Sequence, residues 1–178
     1  YQKITMPDFG KTTDAGNPEL PLRGVLIGVP DAGVPDIEAL DSDYTLLQGY
    51  NIYPAPRPVV VEEEGDKRLD FEFVMDKAVY SADAFFPFEV TKVGFTGFMR
   101  DQKAVKVIFS PVQFNPVTGE VKFYSRIRVR VNFNTPPVGR GLAPAMKKSK
   151  GRRSAGGVSG AYEGMLKGLL LNYDEMRR

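Results

Sequence analysis

From Val121 to Phe133 apolar and polar positions alternate almost without a break. Phe123, Ser125, Ile127, Val129, Val131 and Phe133 fall on one side, and Lys122, Tyr124, Arg126, Arg128, Arg130 and Asn132 on the other. A period of two sustained this long predicts a β-strand with one face buried. Its polar face, with three arginines, is expected to meet solvent or a partner. Phe71, Phe73 and Met75 alternate with Glu72, Val74 and Asp76 in the same way, and 90–95 and 104–109 read similarly. Gly24–Val29 is a short apolar run of strand length. Pro54-Ala-Pro-Arg-Pro58 reads as a stiff extended segment along a sheet edge that leads into a strand at Val59–Val61. Between 114 and 121, Asn115-Pro-Val-Thr-Gly-Glu120 is a turn: Pro116 presets φ, and Gly119 can adopt the left-handed conformation. The expectation is one antiparallel hairpin pairing 104–114 with 121–133.

Residues 1–22 carry Asp8, Gly10, Asp14, Gly16, Asn17, Pro18 and Pro21 and read as irregular. No helical periodicity is visible before residue 160. There Tyr162, Met165, Leu166, Leu169, Leu170, Tyr173 and Met176 recur at spacings of three and four, which predicts an amphipathic helix of about four turns. It packs either on its own sheets or on a following domain. The predicted architecture is all-β: an antiparallel β-sandwich of roughly seven to ten strands with a short C-terminal amphipathic helix. The expected organisation is a sandwich over 1–137, a basic Gly/Ser-rich linker over 138–160, and a helix with a processing terminus over 161–178.

Composition changes this picture mainly by what it removes. The 178 residues include no cysteine and no histidine. That excludes a disulfide, a thiol nucleophile, an imidazole base and a Cys/His metal site. Catalysis by this chain alone is not expected, although a carboxylate-based enzyme is the third-ranked reading. No cofactor is expected. Asp41-Ser-Asp43 and Glu62-Glu-Glu64 are the acidic runs with a possible calcium role, but they lack ordered ligand spacing, and solvated loops are the favoured reading. No apolar run approaches the roughly 20 residues of a membrane span. Between Val138 and Tyr162 there is no acid, while Arg140, Lys147, Lys148, Lys150, Arg152 and Arg153 supply six positive charges. The stretch lacks interleaved aromatics, so a linker is favoured over a nucleic-acid surface.

Several segments, taken in order, resemble the N-terminal propeptides of gingipains, secreted caspase-like cysteine peptidases. They are Gly16-Asn-Pro-Glu-Leu-Pro21, Asp83-Ala-Phe-Phe-Pro87, Gly97-Phe-Met-Arg-Asp101, Ser110-Pro-Val-Gln-Phe-Asn-Pro-Val-Thr-Gly119, and Leu170-Leu-Asn-Tyr-Asp174 before Arg177-Arg178. The resemblance implies a secreted or cell-surface propeptide that folds ahead of its cognate peptidase domain, blocks the active-site cleft and is cut off during maturation. The loop around Met99, Arg100, Asp101 and Lys103 is then the inhibitory element, with Arg100 foremost and Lys103 its competitor. Arg177 and Arg178 are the processing site. Whether the peptidase cuts after Arg or after Lys stays open. The alternative function is an extracellular carbohydrate- or surface-binding β-sandwich.

Overall fold

Pro111 has no backbone N–H to give a ladder, and at Ser110-Pro111 the predicted long hairpin arm divides. In the computed structural model, which describes residues 1–30, 33–63, 65–134 and 160–176, the order is β1 (Gly10–Lys11), β2 (Pro21–Gly28), β3 (Val34–Leu47), β4 (Arg57–Glu63), β5 (Asp66–Glu72), α1 (Lys77–Tyr80), β6 (Thr91–Met99), β7 (Gln102–Phe109), β8 (Val112–Asn115), β9 (Glu120–Asn134), α2 (Gly160–Leu169) and α3 (Tyr173–Met176). The sheets run β1-β2-β7-β6, β3-β9-β8 and β4-β5. The β1/β2, β4/β5 and β8/β9 pairs are antiparallel. The chain is thus an antiparallel β protein with a short helical C-terminus, as its alternation predicts. The hairpin, however, joins β8 to β9 alone, from Val112↔Phe123 to Asn115↔Glu120. Residues 104–109 belong to β7 in the four-stranded sheet.

Contacts divide the chain into two compact units. One gathers Tyr1–Gly24, Ile37–Lys92 and Ile108–Arg130; the other gathers Val25–Asp36, Val93–Val107 and Val131–Arg178. The first is built around β8, all four of whose residues are buried. Phe114 exchanges two 2.8 Å hydrogen bonds with Phe86 on one edge and pairs with Val121 on the other. Its ring lies in a cluster with Leu20, Ile52, Val112 and Val121. The opposite face is polar but satisfied: the Tyr124 hydroxyl donates to Gln113 Oε1 at 2.6 Å, and Gln113 Nε2 donates to the Pro87 carbonyl at 2.6 Å. The β8–β9 turn closes as predicted. Gly119 has φ +67°, a Cβ there would stand 3.0 Å from the Tyr50 carbonyl oxygen, and Asn115 Oδ1 accepts from Val117 N at 3.0 Å.

Other expectations change. The opening segment is irregular apart from β1 and the start of β2, yet it supplies buried Pro18, Leu20 and Pro21. Pro54 is not at an exposed edge. It is fully buried and bridges Pro18, with Ala55 N bonded to the Asn17 carbonyl at 2.7 Å. Phe71, Phe73 and Met75 are 60%, 49% and 39% exposed rather than half-buried, because β5 pairs only with β4 and ends at Glu72. Asp41-Ser-Asp43 lies in a strand, β3, rather than a loop, and so do Glu62 and Glu63, in β4, while Glu64 lies outside the described residues. The one-turn helix α1 is capped by Asp76, whose Oδ1 accepts from Ala78 N at 2.8 Å.

In the second unit Leu166 and Leu170 are buried with Ala104, and Leu26, Met99, Tyr162 and Tyr173 pack around them. The C-terminal segment therefore docks on its own sheet residues. It is not one continuous helix: Leu170 bridges Leu26, Leu171 N donates to the Leu26 carbonyl at 3.0 Å, and α3 restarts at Tyr173.

Tyr80 yields a pH prediction. Its hydroxyl donates to the Ile52 carbonyl at 2.8 Å, and burial, with the Tyr1 phenol a smaller cause, pushes its pKa well up. The folded chain holds this proton more tightly than the unfolded chain does. The stability it contributes is therefore full below about pH 10 and is lost as pH rises beyond that. In urea melts Tyr80→Phe is expected to cost about 1 kcal/mol at neutral pH and to show a shallower fall in stability above pH 10 than the wild type.

Candidate functional site

A two-residue loop between antiparallel strands needs a residue with positive φ so that the strands keep their twist. Strands β6 and β7 are joined by Arg100 and Asp101 alone, and it is Arg100 that takes φ +51°. Glycine is the usual occupant of such a position; an arginine there is strained by about 1–2 kcal/mol. Arg100 and Asp101 are both exposed, so the tip offers a cation and an anion side by side. Met99 lies half-buried at the end of β6 and packs against the Ala104–Leu166–Leu170 cluster.

The guanidinium of Arg100 is not loose. Its Cζ lies 4.5 Å from the centroid of the Tyr162 ring, and the Tyr162 hydroxyl donates to the Met99 carbonyl. Lys103 stands elsewhere: its Nζ donates to the Gly33 carbonyl at 2.7 Å. Of the four loop residues singled out from sequence, Arg100 and Asp101 thus form the tip, Met99 anchors it from below, and Lys103 is held along β7. Arg177 and Arg178 lie outside the described residues, as does 135–159, which contains nearly all of the expected linker. Beside the tip on β6, Phe95 and Phe98 are 58% and 65% exposed.

The arginines of β9 form a second charged array. Arg126 pairs with Asp43 at 2.6 Å and Arg130 with Glu38 at 3.0 Å. Arg128 grips Asp41 with two donors, one of them Nε to Oδ1 at 2.8 Å. All six side chains are about half exposed, so each pair contributes at most about 1 kcal/mol. Their effect is to register β3 on β9, and they are engaged rather than presented. Among the described residues no group of three or more His, Cys, Asp or Glu could hold a metal ion, and no helix is long and apolar enough to cross a membrane.

These features define a β module that has neither cysteine nor histidine and carries a strained basic hairpin tip. The chain belongs to the Propeptide_C25 family, whose model matches residues 1–149. It is 25% identical over 166 residues to gingipain R1 of Porphyromonas gingivalis, covering 93% of this chain and 15% of that protein. With Lys-gingipain of the same organism it shares 26% identity over 137 residues, covering 75% of this chain and 8% of the relative. The chain therefore spans only a small fraction of the relatives it matches. Its fold is that of a structure described as a complex of the pro- and mature domains of RgpB from P. gingivalis. The TM-score is 0.71 at 21% identity, covering 96% of this chain and 79% of that one. A structure of gingipain K addressing its zymogenic latency aligns with a TM-score of 0.57 at 24% identity, covering 72% and 71%.

The strain at Arg100 can be measured. Arg100→Gly and Arg100→Ala both remove the contact with Tyr162, but only glycine relaxes the left-handed backbone. Arg100→Gly is expected to be the more stable of the two by about 1 kcal/mol in denaturant titrations. Equal stabilities would mean that the turn is not left-handed in solution.

Proposed function

We propose that this chain is the inhibitory and folding-assisting propeptide of a secreted or cell-surface cysteine endopeptidase that cuts after Arg or Lys. On this reading the β6–β7 tip blocks the active-site cleft of the peptidase domain in the same precursor until cleavage after Arg178 removes the propeptide. The observation that carries the reading is Arg100: an exposed arginine at the apex of a hairpin, in a backbone conformation that arginine adopts only under strain. Strained residues concentrate where function demands them.

The chemistry suits an inhibitor better than a substrate. A guanidinium offers a planar fork of donors to a carboxylate at the floor of a specificity pocket. A substrate is cut when the bond after its basic residue lies in line with the nucleophile, within a near-attack geometry. At Arg100 the left-handed φ turns the Arg100–Asp101 bond away from the path of an extended chain. The tip thus offers the side chain and withholds the bond. Asp101 adds a negative charge just past that bond. Phe98, exposed two residues before Arg100 on β6, adds apolar surface near the tip. The absence of Cys and His is consistent with a module whose task is to occupy a catalytic cleft rather than form one.

Added to the mature peptidase, the Arg100→Ala chain is expected to inhibit at least tens-fold more weakly than the wild type, with a melting temperature lower by only about 2–4 °C. Loss of a buried, paired interface charge costs about 2–5 kcal/mol, or roughly 30- to several-thousand-fold in affinity. Should Lys103→Ala weaken inhibition while Arg100→Ala does not, the inhibitory role moves to Lys103; should neither do so, the tip is not the inhibitory element. In the precursor, joint replacement of Arg177 and Arg178 by Ala is expected to block processing, read by gel as persistence of the full-length chain. Normal processing of that variant would place the cut elsewhere.

A further inference from the structure

Arg100 and Met99 are contacted by one side chain from far along the sequence. Tyr162, in the first turn of α2, lies beneath the tip with its ring 4.5 Å from the Arg100 Cζ and its hydroxyl on the Met99 carbonyl. Its position is fixed from behind. Leu166 and Leu170, one and two turns on, are 2% and 4% exposed against Ala104. Past the helix, Asn172 clasps Gly28 in both directions, accepting from its N–H at 2.8 Å and donating to its carbonyl at 3.0 Å. On the outer side Met165 and Leu169 are 44% and 47% exposed, so the helix docks through a narrow stripe. That stripe is the part of the C-terminal segment that carries Tyr162 to the hairpin.

A cation over an aromatic ring is held by its face. A guanidinium meets a carboxylate with its edge. The two contacts use different parts of the group, so an arginine held over a ring keeps donors for a carboxylate and has less rotamer freedom left to lose on binding. An unrestrained arginine must give up that freedom on binding instead, at a cost to affinity.

We propose that Tyr162 is a positioning residue for inhibition. It stacks on Arg100 and ties down the Met99 carbonyl, so that the guanidinium is already oriented when the tip meets a carboxylate-floored pocket. The C-terminal helix is then part of the inhibitory apparatus and not only a tether. This inference rests on the inhibitory reading of Arg100.

The test uses the full 178-residue chain and two readouts. In the isolated chain, NMR of the Arg100 side chain should show a ring-current shift that Tyr162→Leu abolishes and Tyr162→Phe retains. Against the mature peptidase of the same precursor, Tyr162→Leu should raise the inhibition constant by about three- to ten-fold. Tyr162→Phe keeps the ring and should stay within about three-fold of wild type. A role confined to folding would not distinguish the Arg100 backgrounds, so the decisive comparison is the double variant. In an Arg100→Ala chain, Tyr162→Leu should produce no further loss. Should Tyr162→Leu fail to fold, Tyr162→Met, which fills similar space without a ring, carries the same comparison. If Arg100→Ala itself leaves inhibition intact, the inhibitory reading and this inference fall together. If Arg100→Ala weakens inhibition but Tyr162→Leu does not, or Tyr162→Leu weakens it equally in both backgrounds, the positioning role alone is overturned.

Discussion

Closing β6 onto β7 with only two residues forces the backbone through a left-handed conformation, and the residue that bears it is an arginine. A glycine there would cost nothing in backbone strain, and asparagine or aspartate little. With arginine the turn holds a long cationic side chain at the apex of a hairpin. A strained residue persists only where its surroundings over-determine it. Here the surroundings are identifiable: a stacking ring above the sheet, a hydroxyl on the preceding carbonyl, and a helix docked through Leu166 and Leu170. The strain and the stack are each of the order of one kcal/mol, so the clamp offsets the turn rather than adding surplus stability.

Strand character was legible from strict alternation, and β9 is the clearest example, although its first half inverts the expected faces: Phe123 is exposed and Tyr124 is buried against Gln113. Its Arg126, Arg128 and Arg130 fall on the polar face as read, while Ile127, Val129 and Val131 are partly covered. The partner strand was not legible. In β3 the acids that meet those arginines sit at 38, 41 and 43, so their phase shifts by one residue between Glu38 and Asp41. Charged positions that change parity along a strand leave no period-two signal. Asp41-Ser-Asp43 taken alone reads as a loop; the arginines its carboxylates meet lie on β9, far along the sequence.

Breaks were harder to place than elements. Pro111 divides β7 from β8, although the apolar pattern runs on from Val105 to Phe114 and invites a single arm. The C-terminal periodicity runs just as smoothly through Leu170, whose N–H still donates to the Leu166 carbonyl, yet the helix stops there because Leu171 gives its N–H to the Leu26 carbonyl instead. A pattern of side chains records which face is covered. It does not record whether the backbone donors stay inside the element or leave it for a neighbouring strand.

The tip was legible for a different reason. Gly97-Phe-Met-Arg-Asp101 lies between two alternating runs, and a short polar interruption there is a turn whatever its register. Sequence names Arg100, Asp101, Met99 and Lys103 together, with Arg100 foremost and Lys103 its competitor, but does not say which of them the backbone brings to the apex. That placement comes from the two-residue turn. It sends residues 100 and 101 to the apex and returns the chain to the sheet by Gln102, so Lys103 lies along β7 and its ammonium reaches the Gly33 carbonyl. A lysine is suited to that task, because its flexible stem carries a point charge to a single carbonyl. The apex favours a planar cation, which can rest its face on Tyr162 and keep its edge for a carboxylate. The different placement of Arg100 and Lys103 thus follows from hairpin length, since the two carry the same charge and stand three positions apart.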